Sequence, residues 1–244
     1  MALIARSRDR AVQTLVLDSP DTRNALSAAL VGELADALAD AGEDDDVRAV
    51  VLTHSGTTFC AGADLRDPPH PDALVGLLRG IVELPKPVVA RVTGHVRAGG
   101  LGLLAACDVA VAADTATFAF TEVRIGVAPA VISLTLLPRT DPRALARLYL
   151  TGERFDAAEA VRTGLLTAAG DDADGVLAPV LDGLRRSAPE ALAETKRLLT
   201  ARVLETFDRD AARLTALSAR MFASADARAG MTAFLERREP PWVV

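Results

Sequence analysis

The stretch T-G-H-V-R-A-G-G-L-G-L-L-A-A-C-D-V-A-V-A-A-D-T-A-T-F-A-F-T-E-V-R-I-G-V-A-P, residues 93 to 129, decides how the rest of the chain is read. It follows an apolar run at 87 to 92 and places Gly99, Gly100 and Gly102 just ahead of an apolar helical pattern. That order predicts strand, tight turn and buried helix. The first N–H groups of such a helix lack partners inside it, and the helix dipole favours negative charge there. Gly99 and Gly100 therefore mark a place for an oxygen that is anionic or becoming so. Asp108 starts a second apolar strand, and beyond it Glu122 stands alone among Phe118, Phe120, Val123 and Ile125. Desolvation of a carboxylate in such company raises its pKa toward a value useful in acid–base chemistry. The bland alternative is the exposed face of a strand, beside Arg124.

On the N-terminal side, residues 2 to 18 alternate and end at D-S-P-D, which predicts one strand leading into a turn. Asn24 or Ser27 caps a helix in which Leu26, Leu30, Leu34 and Leu38 recur every four residues through Ala41. Residues 48 to 53, with paired valines, predict a strand buried on both faces. The passage S-G-T-T-F-C-A-G-A-D-L at 55 to 65 is turn-rich with an apolar centre. Within it the small residues Ala61, Gly62 and Ala63 let a ligand approach the backbone and leave the Ala63 N–H available at the bend, unless A-G-A-D is a plain turn. Asp72 opens a helix with Leu74, Leu77, Leu78, Ile81 and Leu84 on one side, stopped by Pro85 and Pro87.

On the C-terminal side, helices are predicted at 129 to 137 and 142 to 150. Beyond Thr151 the pattern is helical almost throughout, at 156 to 163, 174 to 186, 189 to 205 and 209 to about 234, before an extended tail E-P-P-W-V-V. Strand, helix, strand recurs near residues 11, 48 and 87, a loose structural repeat of about 40 residues.

Composition narrows the function. Among 244 residues only Cys60 and Cys107 are cysteines, too few for a disulfide framework, so a reducing, cytoplasmic setting is expected. No apolar run has the length of a membrane span or a signal sequence, so no membrane association is expected. With 33 acidic and 27 basic residues, a formal charge of -6 and 4% aromatics, neither a basic nucleic-acid face nor a base-stacking platform is indicated. Arg23, Arg66 and Arg97 remain as local cations for a small anionic ligand. His54, His70 and His95 lack metal-ligand spacing, which argues against a metal site; His95, beside the glycine turn, either reaches a cleft or is solvated. Gly100 to Ala105 fits G-x-G-x-x-A, with Glu122 about 20 residues on, the outline of a dinucleotide fingerprint. Residues 93 to 99 intervene after the strand, however, and the next strand ends near Asp114, too early for Glu122. There is no G-x-S-x-G to support a serine hydrolase.

Taken in order, L-D-S-P-D-T-R-N-A-L at 17 to 26, F-C-A-G-A-D-L at 59 to 65, K-P-V-V-A-R-V-T-G at 86 to 94, A-G-G-L-G-L-L-A-A-C-D at 98 to 108 and F-A-F-T-E-V-R-I-G-V-A-P at 118 to 129 resemble the successive motifs of the crotonase, or enoyl-CoA hydratase/isomerase, family. The ending A-F-L-E-R-R-E-P-P-W fits it too, so the resemblance covers nearly the whole chain. It implies an α/β fold, a crotonase-like spiral of repeated strand-strand-helix units at 1 to 185 with a helical C-terminal region at 186 to 244 used in oligomerisation, as a homotrimer or dimer of trimers. By resemblance the N–H groups of Ala63 and Gly99 form an oxyanion hole for a thioester carbonyl, and Glu122 is the catalytic acid/base. Arg23, Asn24, Ala25, Ala61, Asp64, Leu65 and Arg66 would lie along coenzyme A, which is part of the substrate rather than a cofactor.

Two departures from the family pattern matter. Hydratases of the family typically carry two glutamates; Glu122 matches the second, and the first falls at Gly102. By resemblance, members with a single glutamate at the position of Glu122 include isomerases and some hydratases of bulky acyl groups, and Gly102 is expected to enlarge the cleft; the preferred expectation is hydration of a 2-enoyl-CoA, with a branched or bulky acyl group. The alternatives are a single-glutamate isomerase that moves a 3-enoyl double bond to C2, and a member that binds acyl-CoA without turnover. The second departure is P-A-V-I-S-L-T from Pro129, where many relatives have a glycine-rich run; it leaves the shape of the acyl pocket open.

Overall fold

Ile4–Asp9 (β1) and Val12–Leu17 (β2) pair antiparallel, Ile4 opposite Leu17, in the computed structural model, which describes residues 2–244. The single strand predicted at 2 to 18 is thus a hairpin. Both arms present the same alternation, and the turn is made by Arg10 at φ 52° rather than by a glycine or asparagine, so no residue announces it.

Ser27 caps Ala28–Glu43 (α1) by accepting the Leu30 N–H, and α1 buries Leu30, Leu34, Leu38 and Ala41 as its four-residue stripe requires. Ala49–His54 (β3) is buried at every position, as paired valines between two layers should be. Thr58–Cys60 (β4) leads through the loop to Pro71–Glu83 (α2), and the unit then repeats as Val88–Val92 (β5), His95–Arg97 (β6) and Gly99–Ala106 (α3). A third pass, Val109–Ala113 (β7) and Thr117–Ala119 (β8), ends in a 3-10 turn at Glu122–Ile125 instead of a long helix.

The first strand of each unit joins a six-stranded sheet, β1-β2-β3-β5-β7-β10 with Ala168–Gly170 as β10, parallel except for β1. The second joins a four-stranded sheet, β4-β6-β8-β9 with Phe155–Asp156 as β9. This is an α/β spiral in which consecutive turns lie side by side, so equivalent loops become neighbours.

After the spiral come Ser133–Leu136 (α4), Pro142–Thr151 (α5), Phe155–Asp156 (β9), Ala157–Arg162 (α6), Ala168–Gly170 (β10), Ala173–Arg186 (α7), Pro189–Phe222 (α8) and Ala225–Leu235 (α9). Four expectations are corrected here. The helix predicted at 129 to 137 is α-helical only over α4, and 129 to 132 form a turn. Two strands, β9 and β10, occur in the part read as helical; each is too short to show a period. The two helices predicted at 189 to 205 and 209 to 234 are a single 34-residue α8 followed by α9. Arg209 and Asp210 pair on its solvated face, and the break comes at Ser224, which caps α9 by accepting the Ala227 N–H. Finally, the tail is not fully extended, since Val243 N–H turns back to Pro240 O at 3.1 Å.

The long α8 is fastened to the spiral by a buried ion pair. Lys196 Nζ lies 2.8 Å from Asp108 Oδ2 and donates to Ile81 O and Lys86 O, while Asp108 Oδ2 accepts Val88 N–H. Val203, Phe207 and Leu214 of α8 belong to the same apolar core as α1, α2 and the sheets. The chain after residue 186 therefore packs as part of one core and brings its end over the loops of the spiral. No helix of the described residues is long and apolar enough to cross a membrane.

Candidate active site

Because β4 and β6 are parallel neighbours, the loops that leave their C-terminal ends also meet. The first runs through Ala61, Gly62 and Ala63; the second is Ala98 and Gly99. Leu26 bridges to Ala63 in parallel fashion, with Leu26 N–H donating to Gly62 O at 2.8 Å and Asp64 N–H to Leu26 O at 2.9 Å. That pattern uses the Gly62 carbonyl and the Asp64 N–H, the Gly62 N–H donates to Cys60 Sγ, and the Ala63 N–H is left without an acceptor among the described residues. Gly99 opens α3, so its N–H has no acceptor within the helix, and none elsewhere among the described residues.

These two amides are close. A Cβ placed on Gly99 would stand 3.7 Å from Ala63 N, and one on Gly62 would stand 3.5 Å from Gly99 N and 2.8 Å from Ala98 Cβ. Gly62 also sits at φ 95°, so both its conformation and its neighbours require glycine. Ala98 is held at φ 46° and ψ -120°, an arrangement strained for a residue with a Cβ by about 1–3 kcal/mol. Its N–H is tied to Ala119 O at 3.1 Å.

Ala63 and Gly99 line a cavity of about 560 Å³, and Glu122 lines it as well. Glu122 is the first residue of the 3-10 turn, not a strand residue, and is 8% exposed. Its Oε2 has no hydrogen-bond partner among the described residues. Burial pushes its pKa up to about 7, against a smaller opposing effect of its own backbone N–H. Ser133 Oγ donates to Pro129 O at 2.6 Å and lies 3.3 Å from Tyr149 Oη, which fastens the turn at 129 to 132, whose residues border the cavity.

Arg23, Ala25, Ala61, Asp64, Leu65 and Arg66 all border this cavity. Arg23 and Arg66 are exposed and have no ion-pair partner among the described residues, leaving two free cations on its rim. Asn24 differs from its neighbours. It is fully buried and absent from the cavity wall; its Oδ1 accepts Ser19 N–H at 2.7 Å, and its Nδ2 donates to Ser55 O and Thr58 O. With Arg23 at φ 57° and Asn24 at φ 53°, these bonds hold two successive residues in a left-handed turn. Asn24→Ala is expected to cost about 2 kcal/mol through the buried groups it leaves unpartnered. Urea unfolding measures that loss.

Other singled-out groups lie elsewhere. His95 and Arg97 bond to Thr117 on β8 and do not reach the cavity. His54 is buried edge-on to Phe59 and accepts the Thr93 N–H. His70, which caps α2, does border the cavity. Gly100 and Gly102 lie inside α3, against Cys60 and Ile132, so the G-x-G-x-x-A run is a packed helix and not a phosphate loop. The expectation that Gly102 enlarges the cleft is overturned: the space its missing side chain leaves is occupied by Ile132, whose Cγ2 would be 2.5 Å from a Cβ there. Leu74 of α2 and Ile132, from the P-A-V-I-S-L-T stretch tied to the acyl pocket, stand on the cavity wall; sequence reading missed Phe222, Phe234 and Leu235 from α8 and α9, which border it too. Their hydrophobicity is indistinguishable from that of core residues, so no local signal marks them.

Two unpartnered amides at one point of a cavity and a buried, unpartnered carboxyl on its wall are an arrangement suited to enzyme chemistry in which charge gathers on an oxygen while a proton moves nearby. Known proteins agree with that class. The sequence profile of the enoyl-CoA hydratase/isomerase family matches residues 7–243. The crystal structure of an enoyl-CoA hydratase from Mycobacterium avium superposes with a TM-score of 0.93 at 51% sequence identity, over 100% of each chain. The (E)-benzylidenesuccinyl-CoA hydratase of Thauera aromatica is 34% identical over 197 residues, 77% of this chain and 75% of that protein. The 1,2-epoxyphenylacetyl-CoA isomerase of Escherichia coli (strain K12) is 31% identical over 264 residues, covering 98% of each. The chain belongs to the enoyl-CoA hydratase/isomerase family and has its crotonase fold.

Proposed function

We propose that the protein adds water reversibly across the C2–C3 double bond of a 2-enoyl-CoA. The observation that carries this reading is the lone buried carboxyl of Glu122 on the same cavity wall as the unpartnered amides of Ala63 and Gly99. Glu122, ionised, takes a proton from water as the oxygen bonds to C3, and the electron pair of the double bond moves onto the thioester oxygen. The Ala63 and Gly99 N–H groups hold that enolate oxygen, each donor worth about 3 kcal/mol in the transition state. Return of the proton to C2 completes a 3-hydroxyacyl-CoA and restores the carboxylate. The free guanidinium groups of Arg23 and Arg66 suit the phosphates of coenzyme A, with Ala25, Ala61, Asp64 and Leu65 along its path; Asn24 acts there by shaping the loop.

Incubation with crotonyl-CoA, followed by loss of the conjugated thioester absorbance and identification of 3-hydroxybutanoyl-CoA, tests the proposal. Absence of that product at any enzyme concentration, from protein that binds the thioester, overturns it.

A second reading has its own observation in favour. Position 102 is a glycine whose side-chain space Ile132 fills, so Glu122 has no companion acid there, and one carboxylate suffices to move a proton from C2 to C4 of a 3-enoyl-CoA. Conversion of 3-hexenoyl-CoA to the 2-enoyl isomer without incorporation of solvent oxygen would select this isomerase.

Leu198 and Leu199 of α8 are strongly exposed and suit assembly of the chain into a trimer or a dimer of trimers, which sedimentation equilibrium reads directly.

A further inference from the structure

Gly102 lies one turn beyond Gly99 in α3, about 4.5 Å along the helix axis. The side chain of Ile132 is seated on the helix there: a Cβ on Gly102 would be 2.5 Å from Ile132 Cγ2 and 2.9 Å from Ile132 Cβ. The seat is fixed by α4. Thr135 Oγ1 lies 3.1 Å from both Gly102 O and Ile132 O, clamping the turn to α3, and Leu136 N–H also donates to Ile132 O. Ile132 is 3% exposed, yet it forms part of the cavity wall together with Glu122, Ala130 and Val131.

We infer that Ile132, held on Gly102, is the specificity-determining residue of the acyl pocket, and that it selects an unbranched apolar acyl chain over one branched at C3. The inference rests on the thioester reading given above. With the thioester oxygen on the Gly99 N–H, the C3 substituents lie within about 4 Å of the carbonyl carbon, a span comparable to the one-turn step from Gly99 to Gly102, on which Ile132 is seated. A close-packed wall there leaves little room for an added methyl. Ala130, Val131 and Ile132 offer no side-chain hydrogen bond, so a polar group further along the acyl chain than C3 would be desolvated there without compensation. This selectivity is opposite to the one a glycine at 102 suggests in isolation, because the vacancy is filled from another segment.

Calorimetric titration of the full chain with butanoyl-CoA and 3-methylbutanoyl-CoA, both saturated and therefore not turned over, tests the inference. The wild type is expected to bind butanoyl-CoA at least about 10-fold more tightly, the discrimination that one misplaced methyl imposes in a fitted pocket. Ile132→Ala is expected to bring the two within about twofold, and Ile132→Val, which leaves the packing largely intact, to give an intermediate ratio. Gly102→Ala drives Ile132 toward the cavity and is expected to weaken butanoyl-CoA binding about 10-fold; adding Ile132→Ala restores it. A wild type that binds both ligands alike, or a ratio unmoved in both Ile132 variants, overturns the assignment of Ile132 and leaves the thioester reading standing. Failure of the wild type to bind either thioester or free coenzyme A overturns the thioester reading itself, and the Ile132 inference with it.

Discussion

Replacing Glu122 by Gln is expected to lower kcat for a 2-enoyl-CoA by about 10²- to 10⁴-fold, the range of a positioned general acid or base. The substitution keeps shape and removes only the titrating proton, so KM should move little. The pH profile supplies a second measurement. Burial holds the Glu122 pKa at about 7, and the base form is needed to take a proton from water, so kcat/KM should rise with pH through about 7 and level off above it. That limb should vanish in Glu122→Gln.

Stability should run the other way. Between the ordinary carboxyl pKa of 4.5 and the folded value of about 7, the folded chain keeps a proton that the unfolded chain has lost. The unfolded state binds fewer protons across this window, so Glu122 makes stability fall as pH rises through it, by about 3 kcal/mol in all. Urea midpoints of wild type and Glu122→Gln, compared at the two ends of the window, measure that difference. Wild-type activity retained in the Gln variant would remove Glu122 from the mechanism.

The second large effect is expected at Gly62. A valine there would meet Ala98 Cβ and crowd Gly99 N while forcing a β-branched residue into φ 95°. Relief requires the Gly62 loop or the Ala98–Gly99 loop to shift, which separates the Ala63 and Gly99 amides. Loss of one donor to a developing oxyanion costs about 10²- to 10³-fold in kcat, so Gly62→Val should approach the larger figure. Saturated acyl-CoA, whose carbonyl carries less charge than the enolate, should lose much less affinity. A variant with unchanged kcat would show that the two amides do not act on one oxygen.

Much of this site was legible residue by residue. Three glycines after an apolar run place a helix N-terminus, and α3 starts at Gly99 as that reading requires. A glutamate among Phe and Ile side chains advertises an unusual carboxyl, and Glu122 is buried with one oxygen unpartnered. The leucine stripe of α1 and the valines of β3 report burial by their period. Illegible features were those with no period or no local partner. The hairpin turn at Arg10 carries no turn residue, and β9 and β10 are too short to alternate. Asn24 looked like a ligand-facing polar residue, although its amide turned out to be spent on Ser19, Ser55 and Thr58.

The amino-acid order alone determined that strands and helices alternate, that one acid sits in apolar surroundings, and that small residues expose backbone at two loops. Each of these is set within a few residues by backbone freedom, hydrophobic period or local desolvation. Only the tertiary structure decided that Ala63 and Gly99 meet, and that Ile132 fills the place Gly102 vacates. Both depend on parallel strands and a later turn closing over earlier ones, and a contact between segments tens of residues apart leaves no mark in either segment by itself.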